Sequence, residues 1–189
     1  VKILLKQDNP VYASLAPSWV SEFRGIKDEQ MIAALKKLGF TGVGETALGA
    51  ELVSAKTAEQ LAEKGGLTIS SACPAAVDYL RRFQPEFAAA MTGIYSPALA
   101  HCKMLREEFG NDIKTVFIGP CIAKKNEADR NPELLNITLT FDELRAWLKE
   151  ENINLYQVTT TKADKFVLGK AANGALYPVE GGMIGTIKD

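Results

Sequence analysis

The stretch IGPCIAKKNE, residues 118–127, carries the strongest fold signal in the chain. It continues a short apolar run that predicts a buried strand, and it places Cys121 where a helix can begin. Cys73 has the same setting, because LTISSA (67–72) precedes it and CPAAV (73–77) opens with it. Strand, tight corner, cysteine and helix therefore follow one another twice. The pattern predicts either two free thiols in a core or two ligands of one metal cluster.

Apolar periodicity along the rest of the chain predicts strands that alternate with helices. The predicted strands are 11–15, 40–45, 67–70, 114–118 and 137–140, and the predicted helices are 18–23, 28–38, 46–64, 74–83, 97–109 and 142–150. This rhythm is typical of an α/β protein with mostly parallel sheets flanked by helices. A soft boundary is expected near residue 110, where a second strand–helix set begins. Asp28 is expected to cap the helix 28–38, and 129–136 are expected to form a loop. The segment 154–189 has few periodic signals and is expected to pack poorly.

Composition narrows the possible functions. The 189 residues carry a formal net charge of −1, which argues against a nucleic-acid-binding surface. No apolar run approaches the roughly 20 residues that cross a membrane. Three cysteines, with no CxxC pair, do not suggest a zinc ribbon or a secreted disulfide framework. The expected location is a reducing cytoplasm.

The two cysteine corners have a shared chemistry. A thiolate at a helix N-terminus is stabilised by unpaired backbone N–H groups and by the helix dipole. Lys124 and Lys125 add positive charge near Cys121, and Glu127 can pair with a lysine or relay protons. Because a parallel sheet gathers the carboxyl ends of its strands, both corners are expected in one crevice. Cys102 and His101, the only histidine, lie mid-helix; we expect packing for the thiol and a surface or half-buried place for the imidazole.

Several motifs together resemble the catalytic domain of the iron-only hydrogenase large subunit. SSACPA (70–75) resembles that family's first cluster-binding loop, and PCIAKKNE (120–127) resembles the second and more specific one. The supporting matches are ASLAPS (13–18), LGFTGVGET (38–46), the SP pair (96–97) and LTFDEL (139–144). The resemblance covers most of the chain in the family's order.

The resemblance implies a two-lobed α/β fold that holds an H-cluster, in which a [4Fe-4S] cluster accompanies a di-iron centre. Cys73 and Cys121 would be metal ligands, and Lys124 would hold a cyanide ligand of the di-iron centre. Lys124 and Glu127, an acid near the proton route, would be the catalytic residues. The implied cofactor-binding set is Cys73, Cys121, Lys124, Ser96 and Pro97.

The sequence also departs from the family's pattern. Ala72 stands where a proton-carrying cysteine is usual, Gly119 replaces a methionine and Ala98 replaces a glutamine. The third loop, with two further cluster cysteines, is absent. These departures predict a piece of a longer protein, closer to the sensory hydrogenase-like branch than to a fast hydrogen producer.

The leading hypothesis is therefore a fragment whose parent oxidises, produces or senses H2, by the reaction H2 = 2 H⁺ + 2 e⁻. Its expected partners are a ferredoxin-type electron donor or an attached iron–sulfur domain, and the missing C-terminal part of the same protein. The fragment alone is expected to bind no cluster and to be inactive. One alternative is a non-enzymatic protein that binds or assembles a [4Fe-4S] cluster. Another is an α/β binding domain with two buried cysteines.

Overall fold

A four-stranded sheet forms the centre of the molecule in this computed structural model, which describes residues 1–187. The strands are β1 (Val11–Leu15), β2 (Gly42–Glu45), β3 (Lys114–Gly119) and β4 (Ile137–Thr140). The α-helices are α1 (Trp19–Glu22), α2 (Asp28–Lys37), α3 (Thr46–Lys64), α4 (Pro74–Phe83), α5 (Pro97–Phe109), α6 (Ala123–Arg130), α7 (Phe141–Glu150) and α8 (Gly182–Ile187). Short 3-10 turns lie at Leu4–Lys6, Pro85–Ala90 and Asn173–Leu176.

The sheet is parallel throughout, in the order β2-β1-β3-β4. Ala13 in β1 pairs with Val43 on one side and Val116 on the other, and Val116 in turn pairs with Ile137. All five β1 residues are buried, as expected for a central strand covered on both faces. The predicted α/β class with parallel strands and flanking helices is confirmed. Because the strands run the same way, their carboxyl ends share one edge.

The amphipathic helices close the core with the side chains that their spacing predicts. Met31, Ile32 and Leu35 of α2 are fully buried. Leu144 and Trp147 of α7 are buried against the same cluster. Such apolar stripes at helical spacing supply most of the packing that holds a surface helix to its sheet.

Three local predictions are wrong. Residues 67–70 form no strand; Ile69 makes only an isolated bridge to Met91, outside the central sheet, so a loop leads to Cys73. The cap of α2 is Lys27, whose backbone N–H donates to the Gln30 side chain, and not Asp28. Helix α6 begins at Ala123, two residues after Cys121, and continues to Arg130 through part of the predicted loop.

The C-terminal segment is attached to β2 and α3, although the sequence predicts poor packing there. The Val167 N–H donates to the Val43 carbonyl at 2.9 Å, and the Ala171 N–H donates to the Glu45 carboxylate at 2.8 Å. Gly174 lies so close to α3 that a β-carbon there would approach the Ala47 carbonyl oxygen to 2.0 Å. Backbone hydrogen bonds, which leave no periodic signal, hold this segment. The lobe boundary expected near residue 110 stays a prediction.

A close helix crossing gives the fold its first test. The β-carbon of an alanine at Gly49 in α3 would lie 2.2 Å from the Pro97 carbonyl oxygen of α5. Neither backbone can yield without separating the helices, so Gly49→Ala is expected to lower the free energy of unfolding by about 1–3 kcal/mol or more. Thermal unfolding followed by circular dichroism measures the change. Gly185→Ala in α8 has open space and serves as the control; equal melting temperatures for the two variants would contradict this packing.

Candidate functional site

A cavity of about 400 Å³ lies at the carboxyl edge of the sheet. Ala16 follows β1, Thr46 follows β2 and Pro120 follows β3, and all three border the cavity. Half of its other lining residues are alanine or proline. The parallel sheet therefore brings the connection after β3 to this edge, whereas Cys73 reaches the cavity from a loop outside the sheet.

Three helix N-termini and one lysine lie at this cavity. Helix α3 begins there at Thr46, α4 follows the bordering residue Cys73, and α5 begins there at Pro97. Each helix start presents unpaired backbone N–H groups and the positive end of a helix dipole. Lys124 is the only charged side chain among the described residues that line the cavity. The arrangement favours an anionic occupant.

Lys124 is held by a buried ion pair. It is 8% exposed, and its Nζ donates to Glu127 Oε2 at 2.6 Å. Ser96 caps α5 and donates its hydroxyl to the same carboxylate oxygen at 2.9 Å. Glu127 also borders a second cavity of about 290 Å³, while Lys124 borders the first. The Lys124–Glu127 ion pair therefore lies between the two cavities. Lys125, by contrast, pairs with Glu143 at the surface.

The two cysteines take different positions. Cys73 is exposed, caps the N-terminus of α4 and borders the cavity next to Ala72. Cys121 is half-buried; its neighbour Pro120 borders the cavity, and its carbonyl accepts from the Lys124 N–H at 3.2 Å. Within residues 1–187 no three histidine, cysteine or acidic side chains are grouped so as to hold a metal ion. The structure brings Cys73 and Lys124 to the cavity and places Cys121 beside it.

His101 is fully buried, so the prediction of a surface or half-buried position is wrong. Its Nδ1 lies 2.7 Å from Ser14 Oγ, which lies 2.7 Å from Thr46 Oγ1 at the cavity. Gly44 makes room for the ring, because a β-carbon there would lie 2.8 Å from His101 Nε2. Burial lowers the pKa of His101 to about 3, so the imidazole is neutral.

Cys102 is fully buried, as predicted for a packing residue. Burial raises the pKa of its thiol to about 12, which leaves it protonated and unreactive. Neither His101 nor Cys102 borders the cavity itself.

Sequence reasoning missed Ser14, Thr46 and Tyr177. Tyr177 borders the cavity from the C-terminal segment, and its hydroxyl is buried without a hydrogen-bond partner in the described part of the chain. A polar serine inside the apolar run of β1 is a signal that points to Ser14. Tyr177 has no such signal, since the carboxylates of Glu45 and Glu51 position its segment from distant points in the sequence.

Comparison with known proteins gives a consistent family. The family model for the C-terminal domain of the iron-only hydrogenase large subunit matches residues 9–189. The periplasmic [Fe] hydrogenase large subunit of Nitratidesulfovibrio vulgaris is 29% identical over 178 residues, which cover 82% of this chain and 42% of that protein. Iron hydrogenase 1 of Clostridium pasteurianum is 25% identical over 174 residues, which cover 82% of this chain and 30% of that protein.

Solved structures agree with these sequence matches. A variant of an [FeFe]-hydrogenase from Chlamydomonas reinhardtii superposes with a TM-score of 0.75 at 25% identity, covering 92% of this chain and 50% of that one. The chain therefore spans half or less of the length of these relatives. The family resemblance carried by the motifs is confirmed.

The buried ion pair predicts strong coupling between its partners. Glu127→Gln leaves the Lys124 ammonium without a counter-charge and is expected to lower the free energy of unfolding by about 3–5 kcal/mol. Lys124→Met combined with Glu127→Gln removes both charges and is expected to regain much of that loss. Urea unfolding of the two single variants and the double variant measures the coupling.

The exposed pair Lys103–Glu107 is the matched control, since both its side chains are more than half exposed. Glu107→Gln is expected to change stability by less than about 1 kcal/mol. Simple additivity of the Lys124 and Glu127 variants would contradict the proposed coupling.

The neutral imidazole predicts a pH dependence. The pKa of His101 is about 3 when folded, against 6.5 ordinarily, so below pH 6.5 the unfolded chain binds one more proton. The stability that neutral His101 contributes is complete above 6.5 and declines by about 1.4 kcal/mol per pH unit towards pH 3. Urea unfolding of the wild type and His101→Gln, compared between pH 7 and 4, measures the difference. Parallel pH profiles would show that His101 does not titrate on unfolding.

Proposed function

The chain belongs to the iron-only hydrogenase family, as a C-terminal domain of the large subunit, and we propose on that premise that it forms one wall of an H-cluster site. The main support for this proposal is the buried Lys124 ammonium at the cavity. Three helices begin around that cavity, and Cys73 borders it. A thiolate-ligated iron cluster with anionic ligands carries the negative charge that this cavity favours.

The donor set fits part of such a group. Cys73 and Cys121 supply two thiolates, whereas thiolate-ligated clusters normally take four. The relatives are at least twice as long as the stretch that this chain matches. We therefore place the remaining ligands in another part of a longer protein, and we expect the 189-residue chain alone to be inactive.

Each site residue has a distinct proposed role. Cys73 and Cys121 would bind iron of the [4Fe-4S] part. Pro97 lines the cavity at the start of α5, and Ser96 supports this side of the site through its hydrogen bond to Glu127. Lys124 donates hydrogen bonds to an anionic ligand of the di-iron part, because two of its ammonium hydrogens remain after the bond to Glu127. When bound, the cluster would supply the redox chemistry of H2 = 2 H⁺ + 2 e⁻.

Glu127 holds the Lys124 side chain in place. Its Oε2 accepts hydrogen bonds from both Lys124 and Ser96, and its side chain also borders the second cavity. From this position it can hold a proton that arrives through that cavity.

The choice between sensor and enzyme rests on Ala72. Its side chain borders the cavity beside Cys73 and has no ionisable group, so it cannot transfer a proton. We therefore favour a sensory or slow role over rapid turnover. The alternative is a non-enzymatic protein that binds or assembles a [4Fe-4S] cluster. Such a protein needs no buried ammonium beside the cavity, so Lys124 argues against this alternative.

Partners and location follow from the same proposal. Electrons would pass through a ferredoxin-type partner or an attached iron–sulfur domain. Residues 1–187 contain no helix long and apolar enough to cross a membrane. The three cysteines, which are free within these residues, favour the cytoplasm, although one relative is named as periplasmic.

Metal analysis tests the ligand assignment. In the longer protein, matured anaerobically, we expect infrared bands of carbon monoxide and cyanide ligands, together with a four-iron cluster. Cys73→Ser and Cys121→Ser are each expected to lower the iron content and weaken these bands. Cys102→Ala is the matched control, because its thiol is buried away from the cavity.

Two outcomes would contradict the proposal. Absence of the ligand bands in the matured protein, with a cluster still bound, would favour the non-enzymatic alternative. A 189-residue chain that binds stoichiometric iron and evolves H2 from a reduced dye would refute the need for further ligands.

A further inference from the structure

The two proposed iron ligands lie at the starts of two different helices. Cys73 caps α4, and its carbonyl accepts a hydrogen bond from the Val77 N–H at 3.0 Å. Cys121 precedes α6, and its carbonyl accepts in the same way from the Lys124 N–H at 3.2 Å. Each cysteine is therefore fixed to the first turn of its own helix. The separation of the two thiols follows from how α4 is held against α6.

Helix α4 belongs to a segment, residues 71–95, that is little buried. Of these residues, all of which the structure describes, only Pro74 is buried. The two arms of the segment are tied to each other, since the Ser71 hydroxyl donates to the Ile94 carbonyl at 2.5 Å. A bond within the segment does not fix its direction relative to the rest of the molecule. Buried apolar packing, which usually holds a helix in place, contributes little here.

Side-chain contacts join this segment to α6. Directly after the segment, Ser96 donates its hydroxyl to Glu127 Oε2 at 2.9 Å. Within α4, the Asp78 carboxylate accepts two hydrogen bonds from the Arg130 guanidinium, at 2.5 and 2.9 Å. The Ser96 contact therefore holds the end of the segment, and the Asp78 contact holds α4 itself.

A cavity of about 290 Å³ lies between α4 and α6. Pro74, Val77 and Asp78 line it from α4, and Glu127 and Arg130 line it from α6. On this side of the helices, open space takes the place of interlocking apolar side chains. The pair formed by Asp78 and Arg130 joins the helices across this space, so it determines how α4 lies against α6.

The geometry of this pair suits positioning better than stabilisation. The side chains of Asp78 and Arg130 are 34% and 55% exposed, and ion pairs with such exposure usually add little stability. A guanidinium that binds both oxygens of one carboxylate nevertheless fixes a distance and an angle together. The hydrogen bonds from Arg130 also lower the pKa of Asp78, so the carboxylate is ionised at neutral pH.

We propose that Asp78 and Arg130 are positioning residues for the two thiols. Their pair holds α4 in one orientation against α6 and so keeps Cys73 at a fixed separation from Cys121. Neither Asp78 nor Arg130 borders the main cavity, so neither acts directly on a group bound there. That both thiols serve one iron cluster rests on the proposed function, whereas the coupling of the two helices does not.

The first test measures the separation of the two thiols in the 189-residue chain without iron. Nitroxide labels attach to Cys73 and Cys121, whereas the thiol of Cys102 is fully buried and protonated. The dipolar coupling between the labels, recorded by continuous-wave and pulsed EPR, gives the distribution of their distances. The expected result for the wild type is a single narrow distribution.

Substitutions in the pair are expected to broaden this distribution. Asp78→Asn removes the charge and leaves only one acceptor oxygen. Arg130→Lys keeps the positive charge but cannot bind both carboxylate oxygens in parallel. Asp78→Glu retains the carboxylate and is expected to recover most of the narrow distribution. Melting temperatures from circular dichroism are expected to shift by less than about 4 °C, because the pair is exposed.

The matched control is the pair of Asp28 and Lys170, which also joins distant parts of the sequence. Its side chains are 32% and 64% exposed, close to the values for Asp78 and Arg130. Asp28→Asn is expected to leave the label distances unchanged. A narrow distribution in both Asp78→Asn and Arg130→Lys would overturn the proposal. Equal broadening in Asp28→Asn would also overturn it, since the fold as a whole would then have loosened.

The longer protein shows whether this separation matters for iron. After anaerobic maturation, Asp78→Asn is expected to lower the iron content, Asp78→Glu to restore it, and Asp28→Asn to match the wild type. Full iron content in Asp78→Asn would overturn the role in positioning the iron ligands. A longer protein that binds no cluster at all would refute the proposed function instead, and the label distances would still stand.

Discussion

The parallel direction of the four strands is the constraint on which the site depends. Strands that run the same way end at the same edge, and the chain must leave each of them there. The connections after β1, β2 and β3 consequently border one cavity, and α3, α4 and α5 begin at it. The positive ends of these helices meet in a space lined mostly by small apolar side chains. A site for a negative group follows from topology before any single side chain is considered.

Within that frame, the side chains divide into those that face the cavity and those that hold them. Lys124 is buried, and a buried ammonium is tolerated because the Glu127 carboxylate accepts a hydrogen bond from it; Ser96 donates to the same carboxylate oxygen. His101 and Ser14 hold Thr46, a lining residue, through buried hydrogen bonds. In both cases a buried partner holds a lining residue in place, which is how precise sites are usually supported. Ala72 also borders the cavity, but its methyl group can neither donate a hydrogen bond nor transfer a proton.

Local patterns in the sequence were sufficient for much of the fold. Helices such as α2 and α7 have long apolar stripes, and β1 and β3 are mostly apolar, so their identity depends on nearby residues alone. The run 67–70 has the same local pattern, but a strand also needs a neighbouring strand to pair with. This run has only the single bridge from Ile69 to Met91, so it forms no strand. The paired lysine and glutamate were visible as an i, i+3 spacing in the second cysteine motif.

The parts of the site that could not be predicted are those built by distant residues. Gly44 makes room for His101 across a gap of more than fifty positions, and no periodicity records that relation. Tyr177 reaches the cavity through backbone bonds to Glu45 and Glu51. Short-range sequence patterns show which face of a helix or strand is apolar. These contacts depend instead on how helices, strands and loops from distant parts of the sequence pack together.

The central claim is that Cys73 and Cys121 bind iron of one cluster at the cavity that Lys124 borders. An anomalous-scattering map at the iron edge, from crystals of the matured longer protein, tests it directly. The account predicts iron within metal–sulfur bonding distance of both sulfur atoms, with further iron density in the cavity beside Lys124. Iron held only by other cysteines, with both of these thiols free, would contradict it.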